Sequence, residues 1–134
     1  MSININVLLI DDVEYSREIL RATLTSCINT QSRSIKASFY HSSTGQSIIQ
    51  QIESQEIDLV YLDINLPDIS GLDVLKNIRV VFPKLMVVMV SGENSSENVR
   101  NAIASGANGF IVKPFTSQRV TDSLKSYLKK QNKV

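Results

Sequence analysis

Cysteine is nearly missing from this chain: Cys27 is the only one in 134 residues. An internal disulfide is therefore excluded, and a reducing, cytoplasmic compartment is expected. A surplus of one charge is missing too. Fourteen Lys and Arg stand against thirteen Asp and Glu, a net charge of +1, whereas direct nucleic-acid binding usually shows as a clear basic excess. No apolar run nears the roughly 20 residues of a membrane-spanning helix. Met1 to Asn6 lack the basic, apolar and small-residue zones of a signal peptide. Repeats, low-complexity tracts and long linkers are absent as well. What remains is one domain over residues 1–134, with neither membrane nor nucleic acid as a direct partner. Hydrophobic residues make up 43% and charged residues 20%, enough for a core and unlike a disordered chain.

Five short apolar runs, most of them rich in Val and Ile, read as strands: Ile5 to Ile10, Ile35 to Tyr40, Leu59 to Leu62, Leu85 to Val90 and Gly109 to Val112. Several are continuously apolar rather than alternating, as expected of strands covered on both faces of a parallel sheet. Stretches of helical period follow each one. The first places Ile19, Leu20, Thr23, Leu24, Cys27 and Ile28 on one face. The second carries Ile48, Ile49 and Ile52, with Ser42 and Ser43 as candidate N-caps. The third carries Leu72, Leu75, Ile78 and Phe82 and stops before Pro83. The fourth, with Val99, Ala102 and Ile103, runs to Gly106, a C-capping glycine. The fifth carries Val120, Leu124, Tyr127 and Leu128, and ends in Lys129-Lys130-Gln131-Asn132-Lys133, whose cations suit a frayed helix C-terminus. Asn29 to Ser34 reads as a polar loop. The alternation predicts an α/β fold of (βα)5 type with right-handed crossovers. In such folds the chemistry sits at the carboxyl ends of the strands.

Four strands end in polar or charged groups: Asp11-Asp12, Asp63, Ser91 and Lys113-Pro114. Three carboxylates at one rim repel one another unless neutralised. A divalent metal with oxygen ligands answers this, and Mg2+ is the best candidate because it accepts one or two carboxylates, waters and a phosphate oxygen. Lys113 adds a point charge and Ser91 a hydroxyl donor. Together these are the parts of a phosphoryl-transfer site. Singly, each has an ordinary explanation. Asp11 or Asp12 can be a helix N-cap, Asp63 with Pro67 and Asp68 turn chemistry, Ser91 a cap and Lys113 a solvated charge. Their joint arrangement at strand ends argues against that explanation. Cys27 reads as core, and His41, the one histidine, as a surface residue after the second strand.

Asp11-Asp12, Asp63-Ile64-Asn65-Leu66-Pro67 with Gly71, Ser91-Gly92 and Lys113-Pro114-Phe115 resemble the signature of receiver domains of two-component response regulators. The resemblance runs from about Val7 to about Leu128. It implies a flavodoxin-like three-layer sandwich with strand order 2-1-3-4-5. It implies Asp63 as phosphoacceptor, and Mg2+ (or Mn2+) held by Asp12, Asp63 and the Asn65 backbone carbonyl, with Asp11 acting partly through water. Lys113 would pair with the phosphoryl group, and Ser91 would move to bond it while Phe110 turns inward. The Lys113–Pro114 bond would be cis. Asn65 and Glu93, two residues beyond Asp63 and Ser91, would tune hydrolysis towards fast cycling of the chemotaxis type.

The implied function is a phosphoaspartate switch rather than an enzyme acting on other molecules. Its phosphodonor would be a sensor histidine kinase, a phosphotransfer protein or a small phosphodonor such as acetyl phosphate. Kinase specificity is expected around Tyr15, Ser16 and Ile19. A downstream target protein would bind the fourth helix, fifth strand and fifth helix, at Asn98, Asn108, Phe110, Thr116 and Arg119. Either a stand-alone regulator or a receiver cut from a longer protein is expected, with the former favoured, monomeric or weakly dimeric on phosphorylation. Three rival readings fit the residues less well. A haloacid-dehalogenase-type phosphatase would carry its nucleophile on the first strand within Asp-x-Asp, whereas position 65 here is Asn. A flavin module would need a Ser/Thr/Gly-rich loop where Asp11-Asp12-Val13-Glu14 stands. A phosphorylation-independent interaction module would not need the intact site.

Overall fold

The computed structural model of the protein describes residues 3–31, 34–93 and 95–131. Five strands and five helices alternate: β1 (Ile3–Ile10), α1 (Glu14–Gln31), β2 (Ile35–Ser42), α2 (Ile48–Ser54), β3 (Leu59–Leu62), α3 (Gly71–Val81), β4 (Met86–Ser91), α4 (Ser96–Ala104), β5 (Gly109–Val112) and α5 (Ser117–Gln131). The sheet is parallel throughout, in the order β2-β1-β3-β4-β5. This is the flavodoxin-like α/β fold expected.

The continuous apolar runs have a plain cause, since side chains alternate between two buried faces. Ile5, Val7 and Leu9 of β1, Leu59 and Tyr61 of β3 and Met86, Val88 and Val90 of β4 join a core with Leu20, Leu24, Cys27 and Ile28 of α1 and Val120, Leu124 and Tyr127 of α5. The intervening Leu8, Ile10, Val60, Leu62, Val87 and Met89 join a second core with residues of α2, α3 and α4. Helices α1 and α5 thus cover one face, and α2, α3 and α4 the other. Cys27 is buried, as its place on the α1 stripe suggested, with its Sγ 2.8 Å from Thr121 Oγ1.

Several boundaries differ from the sequence reading. Asn29 to Gln31 belong to α1, not to a loop; residues 32 and 33 lie outside the described residues, as do Asn132 and Lys133 of the cationic tail. Thr30 explains part of the extension: its hydroxyl folds back onto the Cys27 carbonyl at 2.8 Å, so a polar side chain is absorbed by the helix. Strand β2 runs on to Ser42, which removes Ser42 as a cap of α2 and puts His41 inside the strand. The cap position is Ser47, in the left-handed region at φ 59 and without a side-chain bond, so Ser43 does not serve either. Serines do cap elsewhere: Ser70 accepts from Leu72 N–H and Ser95 from Asn98 N–H. Gly106 follows the last turn of α4 at φ +105, as a C-terminal glycine should. Ile19 is 38% exposed, at the margin of the α1 stripe rather than within it.

Candidate functional site

Residue parity assembles the site. Asp11 continues the Val7–Leu9 face of β1, Asp63 the Leu59–Tyr61 face of β3, and Lys113 the Ile111 face of β5. All three therefore leave the sheet on the α1/α5 side. The register matches Ile10 with Leu62, and Asp63 N–H donates to the Ile10 carbonyl at 2.9 Å, so the two aspartates emerge side by side. Carboxylate oxygens of Asp11, Asp12 and Asp63 lie within 4.8 Å of one another. Asp11 and Asp63 are buried and Asp12 is exposed.

Lys113 reaches this cluster, its Nζ 2.5 Å from Asp11 Oδ2 and 3.1 Å from Asp63 Oδ2. Partial burial works against its charge, but the two carboxylates outweigh that and hold the ammonium above its usual range. The Lys113–Pro114 peptide is cis. The second carboxylate oxygens organise the loops. Asp11 Oδ1 accepts from Val13 N–H at 2.9 Å, and Asp63 Oδ1 from Asn65 N–H at 3.1 Å. These are Asx turns, so Asp63 also does the turn chemistry that its position suggested, whereas α1 begins only at Glu14 and neither Asp11 nor Asp12 stands at its N-cap.

Ser91 has the opposite parity. It follows Met89 on the α2/α3/α4 face, the face on which half-buried Phe110 packs. Met89 pairs with Phe110, and Ser91 with Val112. The Ser91 hydroxyl accepts from Glu93 N–H at 3.1 Å and makes no bond to the acidic cluster. Its carbonyl accepts from Lys113 N–H at 3.0 Å. Glu93 in turn accepts from Asn98 Nδ2 at 3.3 Å. Asn65 is exposed.

Gly71 shows why the third loop needs a glycine. Its N–H donates to the Ile64 carbonyl at 2.7 Å, and a Cβ there would stand 2.0 Å from the Asp63 carbonyl oxygen. The start of α3 is packed directly on the strand end that carries Asp63.

Two further features concern surfaces. Tyr15, Ser16, Ile19, Lys113, Pro114 and Phe115 line a mainly apolar groove of about 330 Å³ beside the cluster, and Tyr15 is 71% exposed. Among the expected output residues, Asn108 is committed to the fold. Its Oδ1 accepts from Val87 N–H at 2.9 Å and from Arg79 Nη2 at 2.7 Å. Arg17 escaped the sequence reading; its Nη1 donates to the Asp11 carbonyl. The signal available was only an arginine one helical turn into α1.

The donor set suits a small hard cation: three carboxylates, all oxygen, with one lysine to offset them. The chain also matches the response regulator receiver domain model over residues 7–125. The protein belongs to the receiver domain family. It is similar to the chemotaxis protein CheY-3 of Vibrio cholerae, 31% identical over 125 residues, spanning 90% of this chain and 89% of CheY-3. Among solved structures, the receiver domain of NtrX from Brucella abortus superposes with a TM-score of 0.78 at 29% identity, covering 92% of this chain and 98% of that one. CheY in the CheX–CheY–BeF3–Mg complex of Borrelia burgdorferi superposes with a TM-score of 0.79 at 26% identity, covering 92% and 89%. This receiver is therefore a CheY-like module of two-component signalling. Among its described residues no helix is long and apolar enough to cross a membrane.

Proposed function

We propose that this receiver is a phosphoaspartate switch of the cytoplasm, with Asp63 as the phosphoacceptor. The observation that carries the reading is the convergence of Asp11, Asp12, Asp63 and Lys113 at one rim, with Asp63 buried and ion-paired. Asp12, Asp63 and the Asn65 carbonyl would hold Mg2+ or Mn2+ directly, and Asp11 partly through water. The bound cation supplies charge neutralisation for the phosphoryl oxygens.

The chain's own groups do the rest. A carboxylate oxygen of Asp63 attacks the phosphorus of a phosphohistidine, or of acetyl phosphate, in line with the bond that breaks. The imidazole or acetate leaves with the bonding pair. Lys113, already beside Asp63, pairs with the arriving negative charge. Ser91 starts with its hydroxyl oxygen accepting from Glu93 N–H and, among the described residues, with no acceptor for its proton, so it can turn to donate to a phosphoryl oxygen. Phe110 shares that face of the sheet, and a shift of Ser91 frees space towards it. Water then attacks the phosphorus in line with the Asp63 Oδ–P bond, which breaks with its pair on Asp63, regenerating the carboxylate and releasing phosphate. Asn65 and Glu93, two residues beyond Asp63 and Ser91, would tune this hydrolysis towards fast cycling, and a phosphoryl half-life of hours would overturn that expectation.

The groove of Tyr15, Ile19, Pro114 and Phe115 is where a kinase or phosphotransfer helix would dock. The CheY of Borrelia burgdorferi was crystallised with CheX. A partner protein would bind this receiver too, on α4, β5 and α5 as the family resemblance implies, with the chain monomeric or weakly dimeric on phosphorylation. Intact mass after incubation with acetyl phosphate, with and without Mg2+, on wild type and Asp63→Asn, tests the switch. A metal-dependent gain of one phosphoryl group, lost in the variant, is expected. No gain from acetyl phosphate or from a phosphorylated histidine donor would turn the reading to a phosphorylation-independent interaction module.

A further inference from the structure

We propose that Arg17 is a positioning residue for the metal site: its guanidinium fixes the Asp11–Asp12 peptide and thereby the relative placement of the two carboxylates. The inference rests on reading the acidic cluster as a divalent-cation site.

The polar atoms of Asp11 have four different partners. Its N–H donates to the Ser42 carbonyl at 3.0 Å, Oδ1 accepts from Val13 N–H, Oδ2 from Lys113, and the carbonyl from Arg17 Nη1. The peptide linking Asp11 to Asp12 depends on the last of these. Among the described residues, Arg17 is the one hydrogen-bond partner of that carbonyl, and Asp12 N–H donates to no protein group. The Asp12 carboxylate is exposed and likewise unbonded there. Where it points is set by the plane of the peptide before it. A strand-end carbonyl without a partner would turn to water, and Asp12 would turn with it. A guanidinium is suited to prevent this, since it is always charged, planar and stiff, and charge-assisted bonds are the strong ones. Arg17 also borders the small cavity lined by Asp11, Asp63, Lys113 and Phe115, which places its reach within the site.

Two effects of Arg17 have opposite signs. As a nearby positive charge it repels a divalent cation, so its removal would tighten binding. As a brace for the peptide it holds two ligands in register, so its removal would weaken binding. The brace is the stronger, because partners that orient metal ligands contribute about 10- to 100-fold in affinity.

Calorimetric titration of Mg2+ into wild type and Arg17→Met decides the matter. The expected result is a Kd for Mg2+ about tenfold higher in the variant. The Mg2+ concentration for half-maximal phosphorylation by acetyl phosphate should rise with it, while the maximum rate falls by less. An unchanged or lower Kd in Arg17→Met overturns the proposal. Should that variant melt in metal-free buffer below the assay temperature, Arg17→Lys carries the same test. It keeps the charge and stem without the planar fork, with a rise of about threefold expected and an unchanged Kd again decisive against. Wild type that binds no Mg2+ at all would instead remove the metal-site reading itself, and this inference with it.

Discussion

Two tyrosines buried in the α1/α5 core carry a pH dependence that the site chemistry does not use. Tyr61, hydrogen-bonded to Ser123 Oγ at 2.8 Å, has its phenol pushed far above the ordinary value of 10.0 by burial, with Ser123 opposing. Tyr127 is raised to about 12, again by burial first and then by Asp58. A phenol whose pKa is raised in the fold adds stability that is fully present below the unfolded value and is lost as pH rises towards the folded one. Lys113, held charged by Asp11 and Asp63, behaves in the same sense: its contribution is present below the unfolded lysine value and lost above. Urea midpoints should therefore be flat up to about pH 10 and fall beyond it. Tyr127→Phe should make the fall shallower, and an equally steep fall in that variant would remove Tyr127 as a cause.

Helix α3 is held at both ends by contacts that a sequence does not advertise. At its start Gly71 lies against the backbone of Asp63 and Ile64. Gly71→Ala forces that contact apart; a loss of about 2 kcal/mol in urea unfolding is expected, as for other overpacked positions. The phosphorylation rate should fall as well, because the strand end that moves carries Asp63. Near its other end Arg79 donates to the carbonyls of Gly106, Phe82 and Leu85 and to Asn108 Oδ1. One side chain thus ties α3 to the β4 entrance and to the α4–β5 turn. Burial lowers its pKa from the usual arginine value, yet guanidinium stays charged at any working pH. Arg79→Met strips several acceptors at once, and a destabilisation of roughly 3 kcal/mol is expected from the donors lost. A change under about 0.5 kcal/mol, typical of an ordinary surface position, would mean that water replaces the clamp.

The molecule as a whole is a sheet sealed on both faces with three carboxylates gathered at one edge. Folding brings like charges together, so a cation that binds only the folded chain must stabilise it. Each tenfold increase of Mg2+ above its Kd should add about 1.4 kcal/mol to the unfolding free energy. Thermal melts across a Mg2+ series test this. The melting temperature should climb steadily in wild type and hardly at all in Asp12→Asn, which lacks one of the proposed ligands. A wild-type melting temperature that ignores Mg2+ would count against the cluster as a metal site. The same assembly links the rim to its surroundings, since Asp63 lies on the α1/α5 face and Ser91 on the other. An event at the rim can thus act on both helical layers.

The order of elements, the parallel sheet and most buried positions were legible in the sequence, because a strand covered on both faces must be apolar at every position and the helices must repeat at about 3.6 residues; Ile103 of the α4 stripe and Val112 at the end of the edge strand β5 are the exceptions, both exposed like Ile19. The set Asp11, Asp12, Asp63, Ser91 and Lys113 was legible for a related reason: each directly follows or closes an apolar run, and strand ends in such folds share one rim. Helix ends were less so. Asn29 to Gln31 look like a loop but continue α1, and Ser42 looks like a cap but completes β2, since hydrogen bonds to neighbours distant in sequence override local preference. Contacts between a side chain and a remote backbone lay beyond reach altogether. No pattern of residue types announces that Arg17 holds the Asp11 carbonyl, that Arg79 gathers carbonyls from two loops, or that Gly71 must lie against Asp63. Sequence pattern records which way each residue faces, whereas the distance between groups far apart in the chain exists only once the layers have packed.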